Sequence, residues 1–389
     1  MSGAASVRVP GPDGAVREHV LREPVAWTRP AEPFRSRVAF AAAHVVANPL
    51  GDNVPGAPAV VDWDHTLAFR RHLWSYGLGV AEAMDTAQRG MGLDWAATQE
   101  LIRRSAAEAR AVSGRIAAGA GTDHLAAPAT GLDEVAAAYE TQLEVVHDAG
   151  AQIILMASRQ LAAVATGPDD YRKVYDRLLE QAPSPVILHW LGPMFDPALQ
   201  GYWGADDVEV ATDHVVGLIR DHAAKVDGIK VSLLDAELER RVRALLPDGV
   251  RLYTGDDFNY PSLIRGDDDG RASDALLGIF AAIAPAASAA LQALDRDDLT
   301  TYEAAFEPTL PLARQVFGAP TYYYKTGIAF LAWLSGLQPG FTMVGGLQSA
   351  RSLPQLVTTF ELADAAGLLP DPKLAAARLS ALLTTYGVV

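Results

Sequence analysis

The chain has 389 residues, of which 50% are hydrophobic, 20% charged and 8% aromatic, so it carries enough apolar surface for a large core. This composition excludes a disordered or collagen-like chain, and the length predicts either two to three domains or one large α/β barrel. With 32 basic and 47 acidic residues the formal net charge is −15, which disfavours nucleic acids and anionic membranes as partners.

The sequence contains no cysteine. Disulfide bonds, thiolate nucleophiles, zinc–sulfur sites and iron–sulfur clusters are therefore excluded. The N-terminal segment lacks the apolar region of a signal peptide. No uninterrupted apolar run reaches the about 18 residues of a membrane span, since Pro285 interrupts the longest candidate, residues 275–294. We expect the protein to be cytoplasmic.

The N-terminal segment is predicted to form a small hairpin. Two short β-type runs flank the turn sequence Pro10-Gly11-Pro12-Asp13-Gly14. After this segment, short apolar runs alternate with amphipathic stretches, a pattern typical of parallel βα units. The predicted strands are residues 37–44, 77–84, 114–120, 152–157, 185–190, 228–232, 250–254 and 275–281.

Amphipathic helices are predicted between these strands. The clearest covers residues 94–112, because its apolar residues recur at helical spacing and Asp94 can cap its first turn. The others cover residues 63–74, 132–148, 168–181, 208–224 and 236–246. Beyond residue 281 the pattern is helical only, with helices predicted over 285–294, 299–317 and 322–337 and two more before the end.

Eight strands that alternate with helices favour a closed (β/α)₈ barrel, the TIM-barrel architecture. The alternative of an open nucleotide-binding sheet has weak support, since Gly119-Ala120-Gly121 lacks the third glycine of a phosphate-binding turn. We therefore predict an α/β fold with an N-terminal hairpin extension over residues 1–36, a barrel over 37–284 and a C-terminal helical extension over 285–389.

Lys230 stands out because it lies inside an otherwise apolar predicted strand. Burial lowers the pKa of a lysine ammonium, and the neutral amine can attack a carbonyl carbon to form a Schiff base. A lysine that is paired with a carboxylate at the barrel mouth, without a catalytic role, explains the same pattern. The residues alone leave both interpretations open.

Several motifs in collinear order carry a resemblance to a known family. Gly228-Ile229-Lys230 is followed by Gly255-Asp256-Asp257 after the seventh predicted strand and by Ala284-Pro285 after the eighth. Together with Asn48-Pro49-Leu50 and the C-terminal segment 308–337, they are similar to the dihydrodipicolinate synthase / N-acetylneuraminate lyase superfamily of Schiff-base-forming barrels. The resemblance spans roughly residues 37–337 and indicates a divergent branch of that superfamily.

The chain departs from this family at several site positions. The family's Gly-Thr-Thr-Gly-Glu segment, which holds a substrate carboxylate, corresponds to residues 84–88, where Thr86 is kept and Asp85 introduces a negative charge. The catalytic tyrosine after the fifth strand corresponds to His189, and the second relay tyrosine has no counterpart. The arginine that dihydrodipicolinate synthases use for a dicarboxylic substrate is also missing. These differences argue against dihydrodipicolinate synthase activity.

The resemblance implies a lyase or aldolase that acts through a Schiff base on a 2-oxo acid or a sugar-derived carbonyl compound. It assigns Lys230 as the nucleophile and His189 as the group that moves protons. A histidine side chain suits this role because an imidazole ordinarily titrates near neutral pH. It implies no cofactor and no metal, and it suggests a homo-oligomer, either a dimer or a tetramer. The substrate-binding positions that it implies are Asp85, Thr86, Gln88, Gly255, Asp256 and Gly278.

Alternatives stay open at several of these positions. His189 could instead pack at the strand end and hydrogen-bond Asp256 or a loop carbonyl. His44, Asp123-His124, His189 and Asp256 follow predicted strands and could hold a divalent metal in a metal-dependent lyase, isomerase or hydrolase. The missing tyrosines also fit a barrel that binds a carbonyl or sugar ligand without turnover. The aromatic loop 191–207 is either a lid over the site or an ordinary insertion with its own small cluster.

Overall fold

The computed structural model of the chain describes residues 5–11 and 13–388. Its strands in chain order are β1 (Ser6–Pro10), β2 (Val16–Val20), β3 (Ala39–Ala42), β4 (Gly79–Glu82), β5 (Ile116–Ala120), β6 (Gln152–Leu155), β7 (Val186–Leu191), β8 (Val226–Ser232), β9 (Arg251–Thr254) and β10 (Asp274–Leu277). The pair β1–β2 is antiparallel, while β3 to β10 are parallel and close into a barrel with β10 beside β3. The predicted hairpin and barrel are both confirmed, although Pro12 of the predicted turn lies outside the described residues.

Helices follow the barrel strands and cover the C-terminal part of the described chain. None of them is long and apolar enough to cross a membrane. They are α1 (Trp63–Ser75), α2 (Trp95–Val112), α3 (Leu132–Ala149), α4 (Arg159–Val164), α5 (Pro168–Gln181), α6 (Val208–Asp221), α7 (Ala236–Leu245), α8 (Tyr260–Arg265), α9 (Phe280–Leu294), α10 (Leu299–Phe306), α11 (Thr309–Val316), α12 (Tyr324–Leu334), α13 (Leu353–Ala365) and α14 (Pro372–Thr385).

The barrel strands are apolar along their whole length because both of their faces are buried, one in the barrel and one under the helices. Phe40, Ile154, Ile187 and Tyr253 belong to the cluster that fills the barrel interior. Gly228 makes room for this filling, since a Cβ atom there would lie 2.8 Å from the Tyr253 ring. The interior is therefore a packed core, and the open space lies at its ends.

Two predicted elements in the C-terminal half differ clearly from the structure, and alanine and proline explain the differences. The strand predicted over 275–281 ends at Leu277, and the Ala-rich segment that follows is helical from Phe280, because alanine is the best helix former. Pro285 lies inside this helix and is accommodated by non-helical dihedrals at Ile283. The helix predicted over 299–317 is two helices, α10 and α11, with Pro308 at the break.

The N-terminal hairpin packs against the C-terminal helices. His19 Nε2 on β2 lies 2.9 Å from the Asp364 carboxylate on α13, and the Trp27 indole donates a 3.0 Å hydrogen bond to the Gly367 carbonyl. The two extensions therefore contact each other as well as the barrel. The division into three regions with boundaries after residues 36 and 284 stays a proposal.

Glu239 is a buried carboxyl between α7 and the outside of the barrel. It accepts hydrogen bonds from the hydroxyls of Thr254 at 2.9 Å and Ser273 at 2.8 Å. Burial raises the pKa of Glu239 from the ordinary 4.5 to about 8, since the low-dielectric surroundings disfavour the charged form. The folded protein therefore holds a proton on Glu239 at neutral pH.

We expect Glu239→Gln to become progressively more stable than the parent chain as the pH rises. Because the folded pKa lies above the unfolded pKa, the proton on Glu239 stabilises the parent fully below about pH 4.5, and this stabilisation is lost up to about pH 8. In this window the difference should grow by at most about 1.4 kcal/mol per pH unit. Urea titrations of both proteins from pH 5 to 9 measure it, and parallel pH profiles would contradict it.

Candidate functional site

Lys230 lies on β8, and its side chain points into the barrel. It is in register with His189 on β7 and with Tyr253 on β9, which belongs to the interior cluster. Register partners on neighbouring strands project from the same face of a sheet, so Lys230 and His189 project inward as well. Gly255 permits this placement, because a Cβ atom there would lie 2.8 Å from Lys230 Cε.

The Lys230 side chain is removed from water, with only 8% of the residue exposed. Burial lowers the pKa of Lys230, and the negative charges of Asp85 and Asp257 oppose this shift only in part. Burial also raises the pKa of the Asp257 carboxyl, which accepts a 2.8 Å hydrogen bond from the Ile279 amide. The neutral amine, which is the form that attacks a carbonyl, is therefore easier to reach for Lys230 than for an exposed lysine.

His189 is a neutral, fully buried imidazole beside this lysine. Neither ring nitrogen has a hydrogen-bond partner among the described residues, so the alternative contact with Asp256 or a loop carbonyl is not formed there. Burial and the positive charge of Lys230 hold the pKa of His189 well below its ordinary value. The Ser232 hydroxyl on β8 is likewise buried without a partner in this part of the chain. Such orphaned polar atoms suit the binding of a polar molecule.

Asp85 and Thr86 are placed by a tight turn after β4. Ala83 adopts the left-handed conformation with φ 53°, and Asp85–Ala87 form one turn of 3₁₀ helix. A non-glycine residue in this region is strained and must be held by its surroundings. Arg89 holds it here, because its Nη1 donates a 3.1 Å hydrogen bond to the Ala83 carbonyl. The turn brings Asp85 close enough for its charge to act on Lys230.

Helix α12 covers the site from the C-terminal extension. The hydroxyl of Tyr324, its first residue, lies at 2.7 Å from the Thr86 hydroxyl, in hydrogen-bond contact. The Tyr324 ring stacks on Phe317 with 4.3 Å between the ring centroids. Gly278 faces these rings, since a Cβ atom there would lie 2.8 Å from the Phe317 ring. Burial, reinforced by the charge of Asp85, raises the pKa of Tyr324 well above its ordinary value, so its hydroxyl stays protonated.

A second buried lysine follows Tyr324 directly. Lys325 is 2% exposed, and burial lowers its pKa to about 8 although the charge of Asp85 acts in the opposite direction. Its Nζ lies 3.1 Å from the thioether sulfur of Met91, which is a weak hydrogen-bond acceptor. The charge of Asp85 therefore acts on two buried lysines, one from the barrel and one from α12.

Gln88 and Asp256, two of the predicted substrate-binding residues, have side chains that are engaged elsewhere. The Gln88 amide donates a 2.8 Å hydrogen bond to the Val344 carbonyl. The Asp256 carboxylate accepts a 2.8 Å hydrogen bond from the Phe258 amide, and so caps the turn that precedes α8. The next residue, Asp257, is the carboxylate whose charge acts on Lys230. The Gly255 amide also serves the sheet, since it donates to a β8 carbonyl.

A cavity of about 350 Å³ opens at the carboxyl ends of β4 to β7. Barrels of this architecture hold their substrates at this end of the strands. Asp85 lines the cavity while its charge acts on Lys230, so this carboxylate connects the open space with the buried lysine. The polar lining also includes Arg89, Thr122, Asp123, Ser158, Arg159 and Asp196.

Arg89 organises one wall of this cavity. It donates hydrogen bonds to the Asp123 carboxylate at 2.9 Å, to the Gly119 carbonyl at 2.9 Å and to the Gln142 side-chain oxygen at 2.6 Å. Burial alone would raise the pKa of Asp123, but Arg89 and hydrogen bonds lower it to about 2. Arg89 and Asp123 therefore form an ionised pair beside the open space.

The sequence matches, over residues 7–388, the model of the family described as "Protein of unknown function (DUF993)". The chain belongs to the DUF993 family. No curated protein sequence matches it significantly. Because the match covers nearly the whole chain, the barrel and both extensions of this DUF993 protein are parts of one family pattern.

The fold of the DUF993 chain is similar to that of solved dihydrodipicolinate synthases. The Bacillus anthracis enzyme has 15% identity and a TM-score of 0.61, over 85% of this chain and 98% of that one. The enzyme from Oceanobacillus iheyensis has 14% identity and a TM-score of 0.63, over 85% and 96%. The enzyme from Bacteroides thetaiotaomicron has 14% identity and a TM-score of 0.63, over 85% of this chain and 99% of that one. The resemblance inferred from the motifs is thereby confirmed at the level of the fold.

The aromatic loop after β7 is anchored in the DUF993 chain by its own cluster. Tyr202 and Trp203 are each 2% exposed. The hydroxyls of Tyr175 on α5 and Tyr202 lie 2.9 Å apart, and the Trp203 and Tyr175 ring centroids are 4.7 Å apart. The Tyr202 hydroxyl also accepts a 3.0 Å hydrogen bond from the Ser158 amide at the cavity. These contacts match the interpretation of the loop as an insertion with a small cluster of its own.

The histidines and carboxylates proposed as metal ligands do not converge in the described part of the DUF993 chain. No group of three or more His, Asp or Glu side chains there is placed to hold a metal ion. His44 Nε2 lies 2.7 Å from the Gln338 side-chain oxygen, and Asp123 pairs with Arg89. The metal-dependent alternative therefore gains no ligand set from these residues.

Sequence reasoning did not place Tyr324, Asp257 or Arg89 at the site. Tyr324 lies in a helix far from the barrel strands in sequence. Asp257 directly follows Asp256, the residue that the family resemblance implies as a substrate-binding position. One signal was available for Tyr324, because Tyr322 and Tyr323 directly precede α12 and Tyr324 and Lys325 open it, while the rest of the helix is mainly apolar. Polar groups at the start of a fully buried helix indicate a polar surface that they face.

Proposed function

We propose that the DUF993 chain is a Schiff-base-forming lyase or aldolase with Lys230 as its nucleophile. The observation that carries this proposal is the position of Lys230, which is buried inside the barrel beside a neutral imidazole and has a lowered pKa. Asp85 and Asp257 act on the lysine without restoring its ordinary pKa, so a stable structural ion pair describes it less well. The fold shared with dihydrodipicolinate synthases supports the proposal further.

In the proposed first step, the Lys230 nitrogen attacks the carbonyl carbon and its electron pair forms the carbon–nitrogen bond. The carbonyl π electrons move to oxygen, and the Tyr324 and Thr86 hydroxyls donate hydrogen bonds to the negatively charged oxygen. His189 accepts one proton from the positively charged nitrogen and passes it to this oxygen, which gives a neutral carbinolamine and restores the neutral imidazole. A second proton, supplied by the solvent, converts the hydroxyl into water, and the departure of this water leaves an iminium ion. This ion withdraws electrons and permits cleavage, or in reverse formation, of the bond between the α and β carbons.

Borohydride trapping tests the proposal. The protein is incubated with a panel of 2-oxo acids and uncharged sugar-derived carbonyl compounds, borohydride is added, and the adduct is located by mass spectrometry. We expect a stable adduct on Lys230 with at least one compound. An adduct on another residue, or no adduct with any compound of the panel, would contradict the proposal.

We expect His189→Phe to keep the fold and to slow turnover by about 10²-fold or more. The substitution removes two buried nitrogens that have no partner among the described residues, so stability should be unchanged or higher. Steady-state kinetics and urea unfolding on the same preparation measure both effects. Unchanged turnover would return His189 to a packing role.

Binding without turnover stays the second candidate, because the orphaned polar atoms beside Lys230 suit a bound molecule as well as a reacting one. Proton NMR in deuterated water separates the two functions. Exchange of the substrate's α hydrogens supports catalysis, and an adduct without exchange or bond cleavage supports binding alone. The homo-oligomer implied by the resemblance stays a prediction, which sedimentation velocity tests.

A further inference from the structure

The cationic side chains on the cavity walls are already paired with carboxylates of the same chain. Arg89 is bound to Asp123, and Arg159 is bound to Asp196. Arg89 is buried, and the Asp123 carboxyl that it faces stays ionised because its pKa is about 2. The buried guanidinium of Arg89 is therefore not free to receive an anionic group of a substrate without giving up a charge partner. The Arg159 side chain is 55% exposed, and its charge is offset by Asp196.

The two buried lysines behind the cavity have carboxylate neighbours as well. The charges of Asp85 and Asp257 act on Lys230, and those of Asp85 and Asp196 act on Lys325. In the described structure only the two arginines of this set form ion pairs, but the four cations of the site are balanced in number by four carboxylates. A carboxylate or phosphate beside the reacting carbon would therefore give the site an excess of negative charge and would approach Asp85 and Asp257.

The remaining polar groups of the cavity suit uncharged hydroxyls. The hydroxyls of Thr122 and Ser158 lie on the cavity wall, 2.6 Å apart, and can both donate and accept hydrogen bonds. The carboxylate oxygens of Asp85 and Asp123 can accept hydrogen bonds from substrate hydroxyl groups. A cavity of about 350 Å³ lies within the range for small-molecule sites. Closely spaced acceptors and hydroxyls are complementary to a polyol chain.

We infer that the site takes an uncharged, polyhydroxylated aldehyde or ketone and rejects 2-oxo acids, and that Asp85 is the residue that sets this preference. The inference rests on the proposed function, because it assumes that Lys230 reacts with the carbonyl group. It narrows the two substrate classes implied by the family resemblance to one. Asp85 takes this part because it lines the cavity and its charge acts on the nucleophile and on Lys325.

Hydroxyacetone and pyruvate form a matched pair of probes, since they differ only in a hydroxymethyl group against a carboxylate beside the same acetyl carbonyl. Lys230 and either ketone form an imine and release one water, and borohydride supplies the hydride that reduces the imine to a secondary amine. The protein gains the mass of the ketone less one oxygen atom. Rates are divided by those for a free lysine derivative, which removes the different intrinsic reactivities of the two ketones.

We expect the normalised rate of adduct formation on Lys230 to be at least about 10-fold higher with hydroxyacetone than with pyruvate. Asp85→Asn should shift this ratio by about 10-fold or more toward pyruvate, because it removes a negative charge from the cavity wall that also acts on Lys230. Asp221→Asn is the matched control. Asp221 is an exposed residue at the C-terminal end of α6, away from the cavity, and its replacement should leave the ratio unchanged.

The outcomes separate the inference from the proposed function. Equal or faster trapping of pyruvate by the parent chain overturns the inference while the Schiff-base function stands. An unchanged ratio in Asp85→Asn overturns the part assigned to Asp85. The absence of any Lys230 adduct with both ketones and with the wider panel overturns the proposed function itself.

Discussion

Replacing Lys230 by methionine is expected to abolish adduct formation and to lower kcat/KM on the order of 10⁴-fold or more, because no other group supplies the covalent bond to the substrate. Methionine fills a similar volume without the amine. Asp257 lies next to the deleted charge, and burial already raises the pKa of this carboxyl, so it can take up a proton and the barrel should stay folded. Intact mass, kinetics and circular dichroism measure the three effects.

Lys325→Met is the matched control for this experiment. Both lysines are buried and both have lowered pKa values, so each is a chemically reasonable nucleophile. Lys325 extends from the covering helix, whereas Lys230 lies within the barrel beside His189. We expect the Lys325 variant to keep its adduct on Lys230. Loss of the adduct in the Lys325 variant, with retention in the Lys230 variant, would reverse the assignment.

Arg70→Ala is expected to lower the free energy of unfolding by about 3–5 kcal/mol, the largest effect on stability that we predict. Arg70 on α1 and Glu82 at the end of β4 are both fully buried and form two parallel 2.8 Å hydrogen bonds. Arg70 also donates to the Thr66 carbonyl at 3.1 Å. Its removal leaves the buried charge of Glu82 without its partner. Urea-induced unfolding, followed by circular dichroism, measures the loss.

The neighbouring Arg71 provides the control on the same helix. Its side chain is 46% exposed and pairs with Glu108, so Arg71→Ala should cost less than about 1 kcal/mol. The double variant Arg70→Met/Glu82→Leu should recover most of the stability lost by Arg70→Ala, because no unpaired charge stays buried. Equal losses for Arg70→Ala and Arg71→Ala would contradict the importance of the buried pair.

The barrel could be predicted because its strands are buried on both faces and are therefore continuous apolar runs, which alternate with amphipathic helices. Lys230 could be singled out for the same reason, since a charged residue inside such an apolar run must either take part in the chemistry or pair with an opposite charge. The start of α9 at Phe280 and the break between α10 and α11 at Pro308 were harder to predict. An Ala-rich segment is apolar enough for a strand and also favours a helix, and only the tertiary context decides between them.

The covering side of the site could not be predicted in the same way. Tyr324 contacts Thr86 although many helices and strands separate them in the sequence, and periodicity within a segment carries no information about such pairs. Asp256 and Asp257 are adjacent, and the turn after β9 directs one to the start of α8 and the other toward Lys230. Such a choice depends on loop dihedrals, which residue types alone do not determine.

The position of Tyr324 and Lys325 on α12 has a consequence for how the protein is made. A ribosome releases the strand that carries Lys230 well before the helix that covers it, because Lys230 precedes Tyr324 in the chain. A nascent chain that has reached β10 holds the barrel strands but not yet α12. We expect small aldehydes in the surroundings to have access to this amine until α12 docks, so that chain completion is also the step that shields it.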